Sequence, residues 1–315
     1  MMEIATRAAT ADPQAATAAV SVWRLRLRRF RKHKGGMASL VALLMVVLFC
    51  LAAYPLERQL GLDSNATDLL SRYDPPSALH WLGTDEGGRD ELLRLMYGGQ
   101  ISLLIGLLAT GIGGAIGVSV GLVAGYFGGR LDALLMRLVD GVIALPLLPL
   151  LIVLAAVDLT KLGFSSAFAH TGAAGFWRDI VNIAVFDWTG IARLVRAATL
   201  SVKERDYVLA ARASGAGALY LAGVHILPNI VTPIIVALTL TVGRVILFES
   251  VLSFLGFGIV PPTPSWGNML NNAQELVFTA PALAVYPGLL IFITVIAVNL
   301  LGDGMQHAFD PRSQV

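Results

Sequence analysis

Three ionisable residues stand within or beside long apolar runs: Asp187, Arg244 and Glu249. A charge at the middle of a bilayer costs at least about 2.5–3.5 kcal/mol on insertion scales, so such groups face a partner or a wet cavity. For Arg244 and Glu249 two readings follow. They line a route and touch a polar solute, or they sit near a span end and pair across a helix interface. Asp140 and Asn299 read as interhelical hydrogen-bond partners. The other chemistry-bearing types form no reactive set. There is no G-x-x-x-x-G-K-[ST] loop to cradle the phosphates of a nucleotide, no H-E-x-x-H zinc motif and no G-x-S-x-G nucleophile elbow. His80, His170, His225 and His307 are scattered, and Cys50 is the single cysteine, so neither a metal-ligand cluster nor an intrachain disulfide is expected. Asp303, between Gly302 and Gly304, is one acid at a membrane edge rather than half of a protease pair. The sequence therefore offers no catalytic residue and no metal site.

The elements that must position these charges are membrane helices. Of the 315 residues 56% are apolar and only 14% charged, and the mean hydropathy is +0.72. A soluble domain carries about 25% charged residues. The composition excludes a soluble enzyme of ordinary build, a disordered protein and a disulfide scaffold, and a net charge of +2 gives no reason to expect a nucleic-acid partner. Residues 1–20 read as a mobile tail. A basic cluster follows (Arg24, Arg26, Arg28, Arg29, Arg31, Lys32 and Lys34) and completes an N-terminal segment, 1–36. Six spans are expected: 37–54, 101–127, 134–157, a weaker one at 180–198 that contains Asp187, 230–255 and 282–301. The first resembles a signal sequence in its order of parts, but its apolar run is too long and no cleavage site follows, so it reads as a retained span. Residues 55–100 form a polar segment with an ordered loop and a helix entering the membrane. The core, 101–304, holds the other five spans, and 305–315 is a short tail. Gly113, Gly117, Gly121 and Gly125 place a small residue on one helix face every four residues, the pattern of a tight helix crossing.

Positive loops stay cytoplasmic. With the N-terminus inside, the cytoplasmic segments hold Arg7, the basic cluster, Arg130, Arg137, Arg193, Arg196, Lys203, Arg205, Arg212 and Arg312. The opposite side holds only Arg58, Arg72, Arg89, Arg94, Lys161 and Arg178. The bias predicts both termini in the cytoplasm and 55–100 outside.

The longest polar stretch among the spans is 199–225, and with the motif SVKERDYVLAARASGAGALYLAGVHILPN, residues 201–229, it makes a loop of 199–229. It begins with charge, becomes Ala-rich, turns at Gly215 and Gly217 and runs into Pro228. That order predicts a helix–turn–helix on the cytoplasmic surface. Ala210, Ala211, Ala213 and Gly215 give it a low profile on which a partner can seat.

Here the sequence resembles a known family. Ala210-Ala211, three residues, Gly215, nine residues and then His225-Ile226-Leu227-Pro228 resemble the E-A-A-x3-G-x9-I-x-L-P loop of ABC-importer permeases, with Leu209 in place of the Glu and His225 in place of the Ile. HWLGTDEGGRDELLRLMYGG, residues 80–99, resembles the signature of the C-type permease subunit of the oligopeptide/dipeptide/nickel branch, with Leu93 in place of a common Ser. Trp188-Thr189-Gly190, Ala192 to Arg196, Leu252 to Gly256 and Pro261 to Gly267 agree with the same branch, so the resemblance covers nearly all of 24–312.

The resemblance implies an all-α integral membrane protein with six spans, like the permeases of type I ABC importers, and a cytoplasmic coupling helix. It implies a second homologous permease subunit, two ATPase subunits that bind ATP and Mg, and a periplasmic or extracellular solute-binding protein. The place is the bacterial inner membrane, and no cofactor is bound by this chain. Glu204, Asp206, Tyr207, Ala210, Ala211, Arg212, Gly215, Ala216 and Gly217 are then the residues expected to meet an ATPase subunit. The implied cargo is a di- or oligopeptide, with a nickel or metal-chelate complex as the alternative within the family. A secondary transporter or channel is the alternative of another class, and it would have no need of an ATPase seat.

Overall fold

A computed structural model describes residues 22–169, 171–271 and 273–309. The expected tail 1–20, Arg7, His170, Arg312 and the end of the 305–315 segment lie outside the described residues. The described chain is built of helices: α1 (Val22–Lys32), α2 (Lys34–Leu51), α3 (Ala53–Leu60), α4 (Glu91–Phe127), α5 (Gly129–Ile143), α6 (Leu147–Ala155), α7 (Ser166–Ala169), α8 (Gly172–Lys203), α9 (Asp206–Ala213), α10 (Ala218–Tyr220), α11 (Leu227–Phe254), α12 (Ala273–Thr279) and α13 (Pro281–Phe309).

Among the described residues four helical stretches are long and apolar enough to cross a membrane: Lys34–Leu60, Glu91–Phe127, Ala218–Phe254 and Pro281–Phe309. The expected third span is not one helix. It breaks into α5 and α6, bent by 80°, around Ala144 to Pro146, because proline disfavours helical backbone in the residue before it. If this bent pair is one span the number rises to five. The expected fourth span lies within α8. Its 32 residues are long enough, but Arg178, Asp179, Asp187, Arg193 and Arg196 keep it below the apolar composition of the others.

The bundle is organised by close contact of α4 and α8, which run parallel. The glycine ladder of α4 lies directly on the backbone of α8. A Cβ on Gly117 would stand 2.6 Å from the Trp188 carbonyl oxygen, and one on Gly121 would stand 2.5 Å from that of Ala192. Only glycine permits this approach, and lipid supplies no hydrophobic drive to replace the packing it gives. α11 runs antiparallel to α4, and α13 and α2 complete the far side. Ile105, Leu151, Ile180, Ile183, Val245 and Leu252 form the central core.

The bundle has two different ends. One, the cap end, is made of 61–90 and 255–280. The other, the basic end, gathers α1, the α4–α5 junction, the end of α8, α9, α10 and the end of α13. Asp132 and Asp140 of α5 pair with Arg196 and Arg193 of α8 on the way to the basic end, with Arg193 Nη2 2.5 Å from Asp140 Oδ1. The interhelical role expected of Asp140 is thus met by an ion pair.

Candidate functional site

At the basic end the chain leaves α8 at Lys203 and makes α9, a short helix with Asp206 in its first turn, where an acid complements the helix dipole. Val208 is the anchor. It is 2% exposed, within a cluster of Ile191, Val195, Val202, Leu221, Ile226 and Ile230, and Ala211 and Ala216 pack partly against it. Most of the segment turns outward: Glu204, Asp206, Tyr207, Leu209, Ala210, Arg212, Gly215 and Gly217 are exposed. Of the nine expected contact residues seven are thus exposed, and Ala211 and Ala216 are half-buried.

Gly215 closes the turn after α9 at φ +88°, a conformation that favours glycine, and no atom lies within 4 Å of where its Cβ would be. The chain then climbs through α10 and a π-helical turn, Leu221–Ile226, into Leu227 and Pro228. Proline has no N–H, and its ring collides with the carbonyl four residues back in a regular helix, which fits the wider turn found before it. His225 stacks edge-on to Tyr220 at 5.5 Å, and its carbonyl accepts a hydrogen bond from Asn229 Nδ2 at 2.7 Å. Leu219, 90% exposed, and the exposed Tyr220 and Val224 extend an apolar strip beside α9.

Within the bundle, Arg244 and Glu249 are not brought together. Arg244 Nη2 lies 2.7 Å from Asp187 Oδ1, and its side chain remains half exposed. Both residues line an open cavity of about 300 Å³ whose other walls include Val142, Leu147, Phe186 and Gly190. A cation placed here stays accessible while its partner Asp187 is buried. Glu249, expected as the second route-lining residue, is corrected by the structure: it is fully buried. Ser102 Oγ donates to its Oε2 at 3.0 Å and Ser253 Oγ to its Oε1 at 2.9 Å. Serine hydroxyls from α4 and α11 supply its donors, so Glu249 ties helices together and does not face a cavity. Asp187, which the sequence marked only as a charge in a weak span, is the missing member of the accessible pair. The separation of Asp187 and Arg244 in the chain hid their contact.

At the cap end the 80–99 motif folds largely into its own hydrogen bonds. Asp85 accepts from Gly87 N, Arg89 N, Arg89 Nε and Arg94 Nε at 2.7, 3.0, 2.8 and 3.1 Å. Asp90 caps α4 through Leu93 N at 2.7 Å and holds His80 Nδ1 at 3.0 Å. Arg94 Nη1 reaches the Pro262 carbonyl at 3.2 Å, and Trp266, fully buried, donates Nε1 to the Leu95 carbonyl at 2.9 Å. Two separate motifs of the sequence, 80–99 and 261–267, thus form one lid over the bundle.

The family described as binding-protein-dependent transport system inner membrane component matches residues 117–315. The N-terminal transmembrane domain of oligopeptide transport permease C matches residues 21–76. A protein of Brucella suis named as a peptide permease is 37% identical over 289 residues, which is 91% of this chain and 90% of the relative. Glutathione transport system permease proteins of Shigella flexneri and Escherichia coli are 41% and 40% identical over 293 residues, again 92% of this chain and 90% of each relative. The chain belongs to the ABC importer permease family, as a membrane-spanning component of the inner membrane. Its relatives are transport permeases and not enzymes.

Proposed function

We propose that this chain is one of two homologous permease subunits enclosing a passage for di- and oligopeptides, driven by ATPase subunits that dock on α9. A solute-binding protein delivers cargo at the cap end, and two ATPase subunits, which hold ATP and Mg, sit at the basic end. On this reading α8 and the bent α5–α6 pair each cross the bilayer, giving six spans. Both termini and the 199–229 segment are cytoplasmic, in line with the excess of Lys and Arg at the basic end.

The observation that carries the ATPase assignment is the division of labour in α9. One side chain, Val208, is sealed in the core, while Tyr207, Leu209 and Ala210 are left exposed on a low surface. A connector with no partner would not leave such a surface uncovered.

Peptides keep a free carboxylate, and Arg244 offers a half-exposed guanidinium within the bundle. Its pairing with Asp187 keeps the site from holding an anion tightly, which suits passage rather than storage. The cargo class draws on the relatives named for peptides and for glutathione, itself a small anionic peptide.

The experiment is uptake by the full complex in proteoliposomes, with labelled dipeptides, longer peptides, glutathione and nickel–histidine complexes. Transport of peptides is expected, and Arg244→Gln should lower the rate about two- to fivefold without changing the order of preference, a cost within the usual range for one partly exposed pair. Transport of the metal complex alone would overturn the peptide reading.

A further inference from the structure

The basic cluster before the first apolar run is folded as α1, with Lys34 opening α2. Leu27 and Phe30, three residues apart, share one face of α1, and in the sequence Trp23 continues their spacing, while Arg28, Arg29, Arg31 and Lys32 alternate with them. No acid occurs in the sequence between Asp12 and Glu57. An amphipathic helix with Trp, Leu and Phe on one side and Lys or Arg on the other lies in the bilayer interface and favours anionic lipid.

The corner between α1 and α2 is fixed to the end of α13. Gly36 and Gly304 meet so closely that a Cβ on Gly304 would stand 2.8 Å from the Gly36 Cα. His33 and His307 stack at 5.1 Å, and His33 Nδ1 accepts from Gly36 N at 2.9 Å, capping α2. With the corner held, an open slot remains between α1, α2 and α13. It is lined by Leu27, Phe30, Leu40, Leu301, Met305 and Phe309, with Leu27 58% exposed. Arg28, Arg31, Lys32 and Lys34 are exposed on the same short segment. Asp303 is two residues from both Leu301 and Met305, which puts it on the opposite face of the helix; Asp310, which follows Phe309 in the sequence, lies outside the described residues.

We propose that this slot is a binding site for an anionic phospholipid of the surrounding bilayer. The α1 cations meet its phosphate, and one acyl chain lies over the apolar floor formed with α13. The charge of the rim selects the headgroup, and the apolar lining accepts hydrocarbon. Because α13 packs on α11 and α11 continues from the 218–226 turn, the site adjoins the cytoplasmic machinery proposed above, yet it requires neither the ATPase assignment nor a peptide cargo.

The test uses the full chain, purified with the subunits that accompany it, in phosphatidylcholine bilayers. These contain a trace of either phosphatidylglycerol or phosphatidylcholine bearing a photoactivatable group midway along an acyl chain. The phosphatidylglycerol probe should label peptides spanning 27–40 and 301–309 about tenfold more than the phosphatidylcholine probe. Unlabelled phosphatidylglycerol and high salt should each suppress that labelling, since exposed charges are screened. Combined Arg28→Gln, Arg31→Gln and Lys32→Gln substitution should bring the two probes level. If that variant does not fold, the competition and salt series on the unaltered chain decide the matter. Equal labelling by both headgroups, or no labelling at the slot, would overturn the proposal. Labelling that arises only after removal of 310–315 would also overturn it, by making the chain's own tail the occupant.

Discussion

The loop at 74–94 and the loop at 204–220 are both polar and charged, and both carry a recognisable spacing of glycines and acids. The structure uses them in opposite ways. In the first, two of the acids are consumed internally: Asp85 gathers two arginines and two backbone amides, and Asp90 caps α4 while holding His80. In the second, Glu204, Asp206 and Arg212 remain exposed, and only Val208 is committed to the core. A charged motif whose groups pair with one another braces the fold, whereas a charged motif left open beside exposed Tyr207 and Leu219 is the surface on which the proposed docking rests. Spacing alone does not separate the two cases; the destinations of the hydrogen bonds do.

This contrast predicts graded responses. Asp85→Ala leaves the largely buried Arg89 and Arg94 without their shared carboxylate. Breaking one side of a buried pair costs about 3–5 kcal/mol, so the full chain should lose most of its folded yield and unfold at markedly lower temperature in detergent. Gly215→Leu should show a smaller loss, about 1–2 kcal/mol, because a side chain at φ +88° is strained even though nothing occupies the space around it. It should reduce uptake as well, mixing strain with lost docking. Ala210→Trp isolates the second effect. Ala210 is exposed, whereas its neighbour Ala211 packs against the core. The variant should unfold within about 0.5 kcal/mol of the parent, the usual bound for surface changes, while uptake and the stimulation of ATP hydrolysis by loaded binding protein are lost. Leu209→Glu, at a position 47% exposed, should alter neither stability nor uptake. A stability loss from Ala210→Trp as large as that from Asp85→Ala would erase the distinction between the two loops.

Much of this architecture was legible in the amino-acid order. Long apolar runs announced α2, α4, α11 and α13, and the four-residue glycine ladder announced a tight crossing on α4, because both are local and periodic; that the partner is α8 came only from the fold. The break between α5 and α6 was not legible as a bend: Pro146 and Pro149 were visible, but the residues around them are uniformly apolar. The extent of α8 was obscured for the opposite reason. Its charges interrupt the apolar run, and only the fold reveals that Arg193, Arg196 and Asp187 each meet a partner on another helix. Which of its two readings held for Glu249 was not legible, because its donors, Ser102 and Ser253, lie on two helices, one of them 147 residues away. At the basic end, the outward face of α9 was readable from its small residues, but the inward turn of Val208 depends on Leu221 and Ile226 across the Gly215 turn.

The central claim, that the open face of α9 seats an ATPase subunit, is tested most directly by placing a crosslinker on it. Cys50 is 1% exposed, so a thiol-reactive photocrosslinker will address a single engineered cysteine with little background. In the intact complex, Ala210→Cys carrying benzophenone should capture an ATPase subunit, and Ser77→Cys in the cap-end loop should not. Capture of an ATPase subunit from Ser77→Cys, or its absence from Ala210→Cys while the complex remains assembled, would contradict the account.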